Sequence, residues 1–204
     1  YQPTDLLPGL LEDLRRVSSA PIVVVNDGSG AGYALLFDRV RQLPGVTVLT
    51  NAVNLGKGSA LKHGMNHILV HYPDCIGVVT ADADGQHAVS DIVRVTEALQ
   101  ADPDRVAFGV RAFDTEVPLR SRGNTVSRHI YRFLIGIDLS DTQTGLRGIP
   151  RRLMELCLAI RARYEFETEQ LVIIKANRMP VREVPIQTIY IESIPYTVNK
   201  SQLV

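Results

Sequence analysis

Long apolar runs are missing from this chain. The longest, residues 22–25 and 76–80, fall far short of the roughly 18 residues a membrane helix needs. A charge excess is missing as well: 22 basic residues face 22 acidic ones, for a formal net charge of +0. Nucleic-acid binders advertise a basic surplus, so no nucleic-acid partner is expected. Cysteine is scarce. Cys75 and Cys157 form no C-x-x-C spacing, which leaves zinc and dithiol motifs unsupported; two reduced, buried thiols are expected. There is no secretory signal pattern at the start, no internal repeat and no low-complexity stretch. Two nucleotide fingerprints are also wanting. The glycines after Asp27 are not a G-x-G-x-x-G in the right setting, and no G-K-[ST] follows, which disfavours a dehydrogenase or a P-loop phosphotransferase. The chain opens at Tyr1 without a methionine, so residues are expected before it, and membrane segments outside the chain stay open.

What is present is ordinary globular material: 204 residues, 45% hydrophobic and 22% charged. That suits one well-buried domain spanning residues 1–204. The pattern alternates. Apolar, β-rich stretches at 21–26, 46–50, 75–80 and 105–110 are separated by helical stretches at 31–43, 56–72 and 89–100, the last with Ser90 as a plausible cap. Strands apolar throughout and separated by helices imply an α/β fold with a mostly parallel central sheet flanked by helices. Farther on, 121–134 and 151–160 read as helices and 179–191 as extended chain. Pro180 and Pro185 argue that the extended chain lies at an edge or boundary.

Ligands of open parallel sheets bind beyond the carboxyl ends of the strands. Applied here, that rule gathers three polar clusters, after the first, third and fourth strands, and other polar stretches stand beside them. Asp82-Ala83-Asp84-Gly85-Gln86-His87 follows the third strand. Its carboxylates suit a hard cation, Mg²⁺ or Mn²⁺, with Gln86 or His87 adding or orienting a ligand; the plainer reading is a loop that caps the next helix. Asn26-Asp27-Gly28-Ser29 ends the first strand, where Asp27 either accepts hydrogen bonds from a base or ribose or caps a turn. Lys57, flanked by Gly56 and Gly58 at a helix start, is either a phosphate neighbour or a solvated turn residue. Between Arg105 and Arg163 lie 11 arginines, no lysine and 5 acidic residues. That excess fits an anionic acceptor pocket, an anionic membrane surface or ordinary solvated helix faces. Arg111, at a strand end, leans to function. Asp141-Thr142-Gln143-Thr144-Gly145-Leu146-Arg147 is a polar loop able to deliver Asp141 to the site. Glu165-Phe166-Glu167-Thr168-Glu169 starts a helix, where acidic residues suit the dipole.

Taken in order, these elements resemble glycosyltransferase family 2, the inverting GT-A enzymes, and within it the dolichol-phosphate mannose synthase and polyprenyl-phosphate glycosyltransferase subgroup. The matching pieces are Tyr1-Gln2-Pro3, Val24 to Ser29, Asn54 to Gly58, Asp82 to His87, Gly109-Val110-Arg111, Asp141 to Arg147 and Tyr164 to Glu167. The resemblance implies a UDP- or GDP-sugar donor held through Pro3, Asp27, Lys57, Asp82 and Ala83, and a Mg²⁺ or Mn²⁺ ion on Asp82, Asp84 and Gln86. It implies Arg111 and Arg122 at the acceptor phosphate or donor diphosphate, and Asp141 near the sugar. A lipid phosphate acceptor, peripheral membrane contact and a place at the cytoplasmic face of a membrane follow from it. Of the family's first strand only Tyr1-Gln2-Pro3 is expected to remain. The alternatives are a hydroxyl acceptor with Asp141 as general base, a non-catalytic nucleotide-sugar-binding domain, and a nucleotidyltransferase. The last would want a basic phosphate loop where Asn26 to Ser29 is acidic.

Overall fold

The structure is a computed structural model, and it describes residues 1–111, 141, 144–159, 166–187 and 189. Arg120, Arg122, Arg128, Arg132, Arg161, Arg163, Tyr164, the expected helix at 121–134 and residues 193–204 lie outside the described residues. The elements run α1 (Leu6–Val17), β1 (Ile22–Asp27), a 3-10 turn (Ala31–Tyr33), α2 (Ala34–Arg41), β2 (Val46–Asn51), α3 (Lys57–His71), β3 (Gly77–Thr80) and α4 (Val89–Ala101). They continue with β4 (Val106–Arg111), β5 (Arg147–Pro150), α5 (Arg151–Ala159), α6 (Phe166–Ala176) and β6 (Val181–Ile186).

β1 and β2 pair in parallel, from Ile22 against Val46 to Asp27 against Asn51. A second sheet has the order β3-β5-β4-β6. In it β4 and β6 are parallel, while β5 runs antiparallel to both neighbours, so three of its four strands share one direction. β6, the strand with Pro185, is an edge strand, where a missing N–H costs least. Among the described residues β1 ladders only with β2, and β3 only with β5. Their remaining edges line one cavity together with Leu10 and Leu14 of α1, Leu61 and Ile68 of α3, and Ile92 and Thr96 of α4. Tyr1-Gln2-Pro3 borders the same cavity without forming a strand.

Three apolar clusters hold these layers. Met65, Phe108, Ile149, Leu153 and Ile174 centre the largest, between the second sheet, α3, α5 and α6. Val95, Ala107, Leu146 and Ile186 form the second, under α4. Leu7, Leu11, Phe37 and Val40 form the third, against β1 and β2. α1 went unread in the sequence. Leu7, Leu10, Leu11 and Leu14 repeat at helical spacing, but Pro8 and Gly9 interrupt the pattern; Pro8 is tolerated in the first turn, where its N–H is not needed. Two smaller expectations fail. α4 begins at Val89 with Ala88 as its cap, and no side chain caps it, so Ser90 lies inside the first turn. Cys157 is buried, but Cys75 is only partly so; both are free thiols.

Candidate functional site

The strand-end rule holds in three dimensions. Asp27 and Asn51 are the last residues of β1 and β2, Arg111 is the last of β4, and Asp82 and Asp84 follow β3. Because β5 is antiparallel, its leading end meets the others' trailing ends: Arg147 pairs with Thr80. The Thr80 hydroxyl donates to the Gly145 carbonyl at 2.9 Å. Pro3, Asp27, Lys57, Asp82, Ala83 and Asp84 all line the cavity described above, about 1450 Å³ in volume.

Asp27 is buried. Its Oδ1 accepts from the Asn51 amide at 2.8 Å and the Leu55 N–H at 3.0 Å, and its Oδ2 accepts from the Gly56 N–H at 2.9 Å. Burial alone would raise its pKa; these three donors outweigh burial and hold it below the ordinary value. Asp27 therefore shapes the loop into α3, and a carboxylate with about four acceptor sites keeps one for a ligand. Gly28 (φ 68°) permits that packing: a Cβ there would stand 2.3 Å from the Val53 carbonyl carbon.

Asp82 is engaged on Oδ1, with His87 standing near Oδ2. Lys57 Nζ lies 2.8 Å from Oδ1, and the same ammonium reaches Glu167 Oε1 at 2.9 Å. His87 Nε2 is 3.8 Å from Oδ2. Burial opposes ionisation of Asp82, yet His87 and Lys57 outweigh it and hold the carboxyl at about 2. A contact of 3.8 Å is too long for a hydrogen bond, so the Lys57 contact carries most of that effect. Lys57 is raised above its ordinary value: burial works against its charge and the two carboxylates outweigh burial. Glu167 is lowered; its burial is likewise outweighed by Lys57. The pairing of Lys57 and Glu167 across 110 positions of sequence has no local signature. It depends on Gly58, where a Cβ would stand 2.9 Å from Phe166 Cβ, so the starts of α3 and α6 meet only because Gly58 is bare.

The oxygen set suits a hard divalent cation completed from outside. Asp82 packs directly against Gly145, where an added Cβ would fall 2.2 Å from Oδ2. Both ring nitrogens of His87 are buried without a hydrogen-bond partner. A Mg²⁺-type site takes one or two carboxylates and fills up with phosphate and water oxygens; among the described residues no three His, Cys, Asp or Glu side chains converge. Gln86 is exposed; its backbone N–H donates to Asp84 Oδ1 at 3.0 Å, a turn that fixes the Asp84 carboxylate.

Arg111 and Asp141 come together as a two-pronged pair, Nε to Oδ2 at 2.7 Å and Nη2 to Oδ1 at 3.3 Å, with Asp141 fully buried. Arg147 serves the interior instead. Its guanidinium donates to the Thr144 carbonyl, the Gln170 side chain and the Glu167 carbonyl, and it lies 5.1 Å over the Phe108 ring. Arg105 and Arg151 make local pairs with Asp102 and Glu155. The arginine run is thus divided: Arg111 closes β4, whereas Arg147, which opens β5, is turned to the interior. Asn51 and Glu167 were missed as site builders. The strand-end rule finds Asn51 once β2 is extended by one residue; nothing local finds Glu167.

Residues 4–157 match the family described as Glycosyl transferase family 2. An uncharacterized protein of Methanocaldococcus jannaschii is 31% identical over 89% of this chain and 75% of its own length. The UDP-N-acetylglucosamine–dolichyl-phosphate N-acetylglucosaminyltransferase of Methanococcus voltae is 28% identical over 94% of this chain and 84% of its own. The polyprenol monophosphomannose synthase of Mycolicibacterium smegmatis is 30% identical over 66% of this chain and 52% of its own.

Proposed function

This chain belongs to glycosyl transferase family 2 and has its GT-A fold, and from that premise we propose that it moves a sugar, with inversion, from a UDP- or GDP-sugar to a polyprenyl phosphate. The observation that carries this reading is the gathering of Asp27, Lys57, Asp82 and Asp84 around one cavity at the strand ends. The acceptor class rests on relatives named for dolichyl or polyprenyl phosphate. In this reading Asp27, with Pro3, receives the base, and Asp82, Asp84 and Gln86 hold Mg²⁺ or Mn²⁺ against the donor diphosphate. When bound, that cation neutralises charge on the departing nucleoside diphosphate.

The remaining work is positioning. A phosphate acceptor is already ionised, so its oxygen attacks the anomeric carbon as the bond to the diphosphate breaks, and no base is required. This reading assigns phosphate charge to Arg111, and the resemblance adds Arg122. The hydroxyl-acceptor alternative needs Asp141 as a base, but both Asp141 oxygens face the Arg111 guanidinium, which favours the phosphate acceptor. No helix among the described residues is long and apolar enough to cross a membrane; a lipid acceptor would bring the chain against a membrane surface.

Calorimetric titration with UDP and with GDP, each with and without Mn²⁺, tests the donor half. Metal-dependent binding of one nucleotide supports it; folded protein that binds neither overturns it. Transfer of labelled sugar to a short polyprenyl phosphate, and none to a polyprenol, tests the acceptor half.

A further inference from the structure

Lys57 is the first residue of α3, where the helix dipole disfavours a positive charge. The ammonium is nonetheless held by two carboxylates from two other segments, Asp82 at 2.8 Å and Glu167 at 2.9 Å. Asp82 follows β3, whereas Glu167 is held from behind: the Arg147 guanidinium donates to its backbone carbonyl at 3.3 Å. The two partners differ in what they face. Asp82 packs against Gly145 and stands beside the buried ring of His87, and in the reading above its oxygens are those a cation uses. Glu167 is not among the residues read above as cation ligands; its carboxylate holds Lys57.

We propose that Lys57 is a resident counter-cation of this site, occupying Asp82 until a nucleoside diphosphate arrives, and that Glu167 is the positioning residue that keeps Lys57 beside the site once Asp82 is given up. The inference rests on the cation-dependent donor binding proposed above. Its consequence is a coupling. A divalent cation alone must compete with Lys57 for Asp82. With the diphosphate present, the ammonium has a new anionic partner, and cation and nucleotide each strengthen the other's binding by the same factor. Nothing in the coupling requires a change of fold: a lysine side chain with four rotatable bonds turns between three anionic partners.

The test reads bound Mn²⁺ by loss of the free-ion electron paramagnetic resonance signal, in the full chain, with and without UDP or GDP. In the unaltered protein Mn²⁺ alone binds weakly and the nucleotide strengthens it. Lys57→Met and Lys57→Gln are expected to bind Mn²⁺ alone about tenfold more tightly, the size of one partly screened charge pair, and to lose most of the strengthening by nucleotide. The two variants guard against loss of fold in one, since Gln keeps hydrogen bonds to both carboxylates without the charge. Glu167→Gln is expected to weaken Mn²⁺ binding in the unaltered background and far less in the Lys57→Met background. Lysine variants that bind Mn²⁺ alone no more tightly than the unaltered protein overturn the counter-cation. An equal loss from Glu167→Gln in both backgrounds overturns its action through Lys57. Mn²⁺ binding by the unaltered protein only with nucleotide, combined with unchanged lysine variants, sinks this inference alone. No Mn²⁺ binding under any condition sinks the cation reading and this inference with it.

Discussion

Single atoms decide much at this site. Gly145 has no Cβ, and one added there would stand 2.2 Å from an Asp82 oxygen. Gly145→Ala should therefore displace Asp82 and reduce the metal-dependent part of nucleotide binding by about tenfold, roughly 1.4 kcal/mol, while thermal unfolding moves little; calorimetry with and without Mn²⁺ separates the two. Asp27 gives a pH prediction. Its folded pKa is depressed below 3.8, so its contribution is complete above that value and is lost as pH falls through the lowered one. Asp27→Asn should cost about 2 kcal/mol at pH 7, the scale of a charged hydrogen bond. Urea unfolding repeated near pH 3 should show that gap shrinking. Burial lifts the Cys157 thiol to about 11, whereas Cys75 is partly exposed. A thiol reagent at pH 8 should label Cys75 alone in native protein and both cysteines after unfolding.

At the scale of elements, the approach of α3 and α6 is set by Gly58 against Phe166. Gly58→Ala gains about 1 kcal/mol of helix propensity and loses about 1–3 kcal/mol to overpacking, so the collision should win. Phe166→Gly, which removes that Cβ, should relieve it, and a double-mutant cycle in denaturant would show the non-additivity. Legibility in the sequence followed the same division between local and distant causes. β1 to β4 were readable because β-branched apolar runs state burial on both faces, and Asp27, Asp82 and Asp84 because a polar residue after such a run has one place to go. β5 was unreadable: Arg147-Gly148-Ile149-Pro150 carries a charge, a glycine and a proline, and it becomes a buried strand through its pairing with β3 and β4 and the interior partners of Arg147. Asp91, fully buried on α4, was equally hidden; it accepts from the Gln187 N–H at the end of β6, 96 residues away.

For the whole molecule, the described strands fall into a pair and a foursome with no ladder between them. The first four residues of β1 are only half-buried, while the first four of β4 are fully buried. Local opening follows burial and pairing, so amides of β1 and β2 should exchange with solvent at lower free energy than those of β4. Equal protection across both sheets, read by native-state hydrogen exchange, would mean that the pair and the foursome open as one unit.

The Arg111–Asp141 pair has a consequence for the stretch it brackets. Arg111 closes β4, Asp141 lies 30 positions farther along the chain, and their side chains meet at 2.7 Å, so two distant points of the chain are pinned together. Bringing such points together costs entropy that grows only with the logarithm of their separation, about 0.6 kcal/mol per doubling. A change in the number of residues between them should therefore cost little as long as Arg111 and Asp141 still meet.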